Sequence, residues 1–370
     1  MKRKWICILS IALLLCSTGL FGTTASASVK TGRKGMTLDS ARTFYSPDLI
    51  KKYIRTLSKH HASFLNLHLT DNERFGVENA YLGQTTRKAV KKHGIYYNKK
   101  TKKAFLSKNQ LKELIRYAKQ RHIELIPEID LPGHDESVLR LLSYSKKGRH
   151  IKRQVVQKGG YHEMKYGSAH TLALSKRILS EYLPLLSKGM HIGIGTDELS
   201  VDTKSQEKTF AKYLNAMDSY VNKHGKKLSA WNDGFHKRVI SKIHKNILVF
   251  YWSRNGEISN QHDRREMIRL RATLPQLVKK GFNVINCDFY YLYVINNKKM
   301  YTADSRSYWK QALKKWNSHV WDDNNFSDAY HGKREISAAI CIWGVADSGY
   351  NGQRSYKLSQ QYLNAFLQHK

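Results

Sequence analysis

At 370 residues, with 41 % apolar residues and only five prolines, the chain is long enough for one large core and too apolar for a disordered polymer. Its 64 Lys and Arg against 29 Asp and Glu give a formal charge of +35, which argues against polycationic partners. It points instead to polyanions, namely teichoic acids, extracellular DNA or anionic lipid head groups.

The first residues read as a targeting segment. Lys2, Arg3 and Lys4 precede an apolar run over 6–15, and Ala25-Ser26-Ala27 fits a small-x-small cleavage site. The run is too short to span a bilayer, and Leu15 before Cys16 does not fit a lipoprotein site. Residues 1–27 are therefore expected to be a secretory signal peptide and 28–370 the exported domain, with no integral membrane segment left. Its removal would leave a charge of +32 and two cysteines, Cys287 and Cys341. That is too few for a disulfide framework. Both lie in apolar runs and read as two buried thiols or as one bridge.

The run over 35–39 is the first expected strand, and Ser46-Pro47 then opens a helix with proline at its first position. A second strand over 64–69 leads into an irregular stretch, 71–106. Ser107 to Gln110 forms a capping box before Leu111, Leu114, Ile115 and Ala118. A third strand over 123–129 is followed by a second irregular stretch, 143–169, and by a helical pattern over 172–186. Strands over 191–195, 227–231, 247–252, 282–287 and 338–343 follow, with helical patterns over 210–224 and 274–280 among them. The strand runs are rich in Ile, Val, Phe and Leu without strict alternation, as in strands buried on both faces. Eight strands alternating with helices predict a (β/α)8 TIM barrel in the α/β class, with the irregular stretches on its C-terminal face.

The fourth strand runs His191-Ile-Gly-Ile-Gly-Thr196 and stops on Asp197-Glu198. Two neighbouring carboxylates are costly inside a core, but a strand end opening on a polar cleft accommodates them. Adjacent side chains of an extended segment point apart, so one acid can stay ionised while the other stays protonated. That division suits acid catalysis on a sugar bond. The other strand ends carry Asp39 and Arg42, His68 and Asp71, Glu128 with Asp130 and His134, Trp231-Asn232-Asp233, Tyr251-Trp252, Asp288 with Tyr291 and Tyr293, and Trp343. Carboxylates bind sugar hydroxyls, and aromatic faces pack against a pyranose ring.

The segments Leu38 to Ser46, Leu67-His68-Leu69-Thr70-Asp71, Glu124 to Glu128, Thr196-Asp197-Glu198, Trp231 to Gly234, Tyr251-Trp252-Ser253, Tyr290 to Tyr293 and Ile342-Trp343-Gly344 together resemble glycoside hydrolase family 20, the β-N-acetylhexosaminidases. The resemblance runs from about Gly35 to the C-terminus, making 28–370 a family 20-like catalytic barrel. It implies a retaining reaction in which the substrate's own 2-acetamido oxygen, not an enzyme side chain, attacks the anomeric carbon. Glu198 would be the general acid and base. Asp197 would orient the acetamido N–H, and Tyr293 would bond its oxygen. Trp231, Trp252 and Trp343 would wall the ring, with Arg42 and Asp233 also binding substrate. Asp71 and His134 would form a supporting acid/base network reaching Glu198. No metal or other cofactor is implied.

Four positions depart from the family's pattern. Thr196 stands where glycine is usual, Val345 where the most similar member has a glutamate, Val201 in place of an aromatic, and Asn260 in place of an acid. The leading expectation is a secreted β-N-acetylglucosaminidase, associated with the cell wall or a biofilm matrix. The resemblance favours poly-β-1,6-N-acetylglucosamine as its polysaccharide. The charge suits better an enzyme removing GlcNAc from teichoic acid. A weakly active or inactive basic polysaccharide-binding protein and a basic nucleic-acid-binding matrix protein are the readings from other classes.

Overall fold

The computed structural model describes residues 32–157, 163–256, 260–322 and 325–369. The expected leader, 1–27, lies outside them. Eight parallel strands close into a barrel: β1 (Lys34–Asp39), β2 (Phe64–Thr70), β3 (Glu124–Ile129), β4 (His191–Gly193), β5 (Lys227–Trp231), β6 (Leu248–Tyr251), β7 (Asn283–Asn286) and β8 (Ser337–Trp343). The strands pair in chain order, and β8 returns to β1 with Lys34 to Leu38 opposite Ala338 to Ile342. The fold is the expected (β/α)8 barrel, its strands within about two residues of the runs read from sequence.

The strands owe their place to two kinds of burial. On β2, Leu65, Leu67 and Leu69 belong to the large apolar layer beneath the helices, while Phe64, Asn66, His68 and Thr70 take the alternate, inward positions. The interior is apolar low in the barrel, with Phe64, Leu248 and Ile285, and becomes polar near the strand ends, with Asn66, His68 and Glu128. Cys287 and Cys341 lie in this interior as free buried thiols, which settles the open question against a bridge.

The seventh strand is split. β7 stops at Asn286, a short helix Phe289–Leu292 follows, and the chain resumes as the strand Tyr293–Ile295. β8 holds both pieces. Its lower residues Ser337 and Ala338 face Ile285 and Asn286, and its upper residues Cys341 to Trp343 face Tyr293 to Ile295. The run 282–287 marks only the lower piece.

The helix starts follow their caps. Ser46 accepts from the Leu49 N–H ahead of Pro47–Lys59, and Ser107 and Gln110 form the reciprocal box that opens Lys108–Lys119. A similar box of Thr203 and Gln206 starts Lys204–Lys223 earlier than the 210–224 pattern. The helix expected over 172–186 runs instead over Ala169–Leu179, and Pro184 lies in a 3-10 turn, Leu183–Leu185. Proline has no N–H for an α-helical bond and clashes with the preceding turn.

Both irregular stretches contain structure. Residues 71–106 include an antiparallel sheet of Ala89–Lys92, Ile95–Asn98 and Ala104–Phe105. Its first turn is His93-Gly94, both at positive φ (47° and 78°), the turn that matches the twist of paired strands. Residues 143–169 include the helix Lys146–Val155. Both elements are largely solvent-facing and lysine-rich, so neither shows a clear apolar period. Among the described residues no helix is long and apolar enough to cross a membrane.

Candidate active site

The site is built at the C-terminal ends of the strands, beginning with the segment after β4. The Trp231 N–H still bonds to the Gly195 carbonyl at 2.8 Å, and the chain then turns sharply. Gly195, Thr196 and Glu198 all have positive φ (62°, 76° and 54°). Gly195 is required, since a Cβ there would lie 2.0 Å from Asp130 Oδ1 and 3.1 Å from Asp197 Oδ1. Thr196 is buried and β-branched in a backbone region that such residues avoid. Its hydroxyl donates to the Trp231 carbonyl at 3.4 Å. Two residues beyond Glu198, the Ser200 peptide is held on both sides. Its N–H donates to Glu163 Oε2 at 2.8 Å, and its carbonyl accepts from the Tyr166 hydroxyl at 2.7 Å.

Behind the Asp197-Glu198 segment lies a chain of alternating charges. Asp39 accepts from the N–H groups of Ala41, Arg42 and Gly344 and pairs with Arg42 Nη1 at 3.0 Å. Arg42 Nη2 reaches Asp71 Oδ2 at 2.7 Å, and the same oxygen meets His68 Nε2 at 2.9 Å. His68 Nδ1 lies 2.6 Å from Glu128 Oε1. Glu128 Oε2 accepts from Asn66 at 3.0 Å and from the Trp231 indole at 3.2 Å. Burial opposes a charge on His68, but carboxylates on both ring nitrogens hold its pKa well above the usual imidazole value. Burial would raise Asp71, yet His68 and Arg42 hold its carboxyl well below the usual range.

His134 joins this chain to the acids. Its Nδ1 lies 3.8 Å from Asp71 Oδ1, and its Nε2 lies 3.5 Å from both Asp197 Oδ2 and Glu198 Oε2. Burial would lower its pKa, but Asp197, Asp130 and Asp71 raise it to about 10. The His134 charge in turn outweighs the burial of Asp197 and keeps that carboxyl below its ordinary value. Glu198 goes the other way, raised by desolvation and by the adjacent Asp197 charge. Burial also raises Tyr293 well above the phenol range, which leaves its hydroxyl a donor.

The resulting cleft has a volume of about 240 Å³, below the roughly 300–1,000 Å³ usual for drug-sized ligands. Arg42, His134, Asp197, Glu198, Trp231, Trp252, Tyr293 and Trp343 line it, with Ile295 and Gly344. Trp252 and Tyr293 are stacked at 6.2 Å, and Trp231 and Trp343 lie 5.8 Å apart. Asp71 and Asp233 are placed behind the lining. Asp233 is buried, with its carboxylate bound to the Trp252 indole at 2.7 Å and Arg271 at 2.7 Å. It therefore holds a wall in place from behind. Of the departures from the family's pattern, Val201 is buried in the outer apolar layer and Asn260 caps the helix Gln261–Leu270. Neither they nor Val345 line the cleft.

The sequence reading placed His68, Glu128 and Asp130 at strand ends without giving them roles. Asp130 is fully buried with neither oxygen bonded, and burial together with Asp197 pushes its carboxyl well above the usual range. Glu163 and Tyr166 were missed altogether, and only their distance from the acids in sequence hid them. Two donor sets have metal-like spacing, His68-Asp71-Asp130 and Asp130-His134-Asp197, each within 4.8 Å. Each includes an imidazole whose pKa the surrounding carboxylates raise.

The description "Glycosyl hydrolase family 20, catalytic domain" matches residues 33–348. Dispersin B has a TM-score of 0.85 at 32 % identity, over 92 % of this chain and 99 % of its own. The pneumococcal StrH module, at 19 % identity and TM-score 0.67, covers 92 % of this chain and 83 % of its own and shares the fold. The β-hexosaminidase of Vibrio furnissii is 34 % identical over 116 residues, 30 % of this chain and 19 % of that protein. That of Porphyromonas gingivalis is 24 % identical over 226 residues, 55 % of this chain and 28 % of that protein. The chain thus spans less than a third of these curated relatives.

Two outcomes are expected from this geometry. Thr196→Gly and Thr196→Val both lose the hydroxyl bond, but only glycine removes left-handed strain of ~1–2 kcal/mol, at an entropy cost of ~0.5–1 kcal/mol, so denaturant unfolding should rank Thr196→Gly above Thr196→Val. Thr196→Val keeps the strain and should be less stable than the parent; the reverse ranking of the two variants would contradict the strain. The second outcome concerns pH. His134 binds its proton more tightly folded (about 10) than its ordinary 6.5, so its contribution is complete below 6.5 and fades as pH rises toward 10. Melting temperatures across that window should fall less steeply for His134→Gln than for the parent, and parallel curves would rule the linkage out.

Proposed function

The chain belongs to glycosyl hydrolase family 20, and from that membership we propose that it is a β-N-acetylhexosaminidase working by substrate assistance. The supporting observation is that one cleft is lined by an acid held ionised, an acid held protonated, a phenol and three tryptophans. A sugar bearing a 2-acetamido group suits that set. Asp197 accepts the amide N–H, Tyr293 donates to the amide oxygen, and the tryptophans cover the ring.

In that pose the acetamido oxygen attacks the anomeric carbon as the bond to the leaving oxygen breaks. Glu198, held protonated by its surroundings, gives its proton to the leaving oxygen. Asp197, held ionised by His134, offsets the positive charge that spreads over the cyclised amide. Glu198, now a carboxylate, then takes a proton from the water that opens the ring, and both protein acids return to their starting states. His134 serves as the fixed cation that keeps the neighbouring acids apart in pKa.

As substrate, the sequence resemblance favours poly-β-1,6-N-acetylglucosamine, met outside the cell after removal of 1–27. A charge of +32 supports a second reading, a GlcNAc-bearing teichoic acid, because a basic surface concentrates a polyanion.

Glu198→Gln should lower turnover of an unactivated GlcNAc glycoside by about 10²–10⁴-fold and that of an aglycone needing no proton much less. The profile of kcat/KM against pH should be a bell, with Asp197 setting the acid limb and Glu198 the alkaline limb. Asp197→Asn should slow both substrates. Equal losses on both aglycones in Glu198→Gln, or good turnover of a glycoside lacking the 2-acetamido group, would refute the mechanism.

A further inference from the structure

A second groove, of about 570 Å³, lies between the antiparallel sheet that follows β2 and the segment ending the helix Glu136–Leu142 that follows β3. Its floor includes the buried side chains of Leu82, Phe105 and Leu141. One wall carries Arg87, Lys88, Lys99 and Lys100, all exposed and none in an ion pair among the described residues. The stretch 87–103 that supplies them holds eight Lys and Arg and no acid. The lining also includes Tyr144, 46 % exposed and one of few large apolar side chains so open. Tyr81 lies beside it, with Lys147 and Arg177 at 5.6 and 5.3 Å from its ring.

The charge of this groove sets it apart. The catalytic cleft contains Asp197 and Glu198, and other surface clefts contain Asp48, Glu78 and Glu113, or Glu335, or Glu163. This one is lined by no carboxylate. The neighbouring Glu181 is committed to the N–H groups of Ala80 and Tyr81 and to Lys108. A row of unpaired cations over an apolar floor, with one open aromatic ring in the lining, suits a ligand that repeats anionic groups and carries apolar C–H faces between them.

We propose that this groove holds a sugar-bearing polyol-phosphate polymer, with phosphodiesters against Arg87, Lys88, Lys99 and Lys100 and a sugar or polyol unit against Tyr144. Nucleic acid is the competing polyphosphodiester. Tyr81 is already covered by two cations, and Tyr144 alone offers no succession of rings on which bases could stack. The groove is built from the loops after β2 and β3, on the barrel face that carries the catalytic cleft, so a polymer held there is presented to that face. The choice of a GlcNAc-bearing polymer rests on the hexosaminidase reading. The affinity for a polyphosphodiester does not.

The test measures binding of the whole protein to poly(glycerol phosphate) carrying GlcNAc, to the same polymer without the sugar, and to single-stranded DNA of equal phosphate number, across a salt series. The combined variant R87Q/K88Q/K99Q/K100Q is compared with the control K279Q/K280Q/K310Q/K314Q, which removes equal charge from exposed lysines elsewhere. The groove variant should lose about tenfold or more in affinity and lower the log–log salt slope by about 3, at ~0.7 per lost phosphate contact. The control should stay close to the parent, and Tyr144→Ala should weaken the sugar-bearing polymer more than the bare one. Hydrolysis of a small neutral GlcNAc glycoside should be the same in all of them. Equal losses in the two fourfold variants would reduce the groove to diffuse surface charge and overturn the proposal. Tighter binding of DNA than of either polyol polymer, or no binding at all, would also overturn it. A protein that binds as described but hydrolyses no GlcNAc glycoside would keep the groove and refute the hexosaminidase reading alone.

Discussion

The site depends on a buried line of opposite charges, Asp39, Arg42, Asp71, His68 and Glu128, each within 3.0 Å of the next. No member can be lost alone, because an uncompensated buried charge typically costs ~3–5 kcal/mol. The line also crosses the barrel. Its members come from the ends of β1, β2 and β3, Asp39 binds the N–H of Gly344 beyond β8, and Glu128 binds the indole at the end of β5. The electrostatic requirement is thus a geometric one as well, since the strand ends must stay in register for the charges to remain matched. Cleft walls and the Asp197-Glu198 pair are mounted on a frame that is satisfied within itself.

His134 carries that order to the surface. It stands 3.5 Å from each of two consecutive acids, yet they end apart in pKa, because its charge and hydrogen bond outweigh the burial of Asp197 while desolvation and the Asp197 charge push Glu198 up. The backbone contributes the rest of the difference. Three left-handed residues in four send Asp197 inward and Glu198 toward solvent, and Glu163 and Tyr166 anchor the far end of the turn at Ser200.

Much of this was readable in the chain. Strands buried on both faces announce themselves as apolar runs, and a barrel puts its chemistry where they end, so eight of the ten expected site residues line one cleft. The misses have physical causes. Residue type and position do not reveal that Asp233 lies behind the lining, bonded to an indole and a guanidinium. Glu163 acts from a distant loop that no local pattern connects to Glu198. The upper half of the seventh strand is only three residues long and follows a helical turn, so its sequence carries too little period to be seen. The cationic sheet of 89–105 escaped notice because elements that bury little have no apolar rhythm.

The split in the seventh strand also bears on how such an enzyme can diversify. In an unbroken barrel strand, adding or deleting a residue shifts the register of everything above it and changes the shear of the whole cylinder. Here β8 runs beneath both halves as a splint, pairing separately with each, while residues 290–292 belong to neither ladder. Insertions and deletions in that joint leave both registers intact. Tyr293 lies just past it and pairs with Cys341, so the joint can change length while that hydroxyl keeps its place against the acids that follow β4.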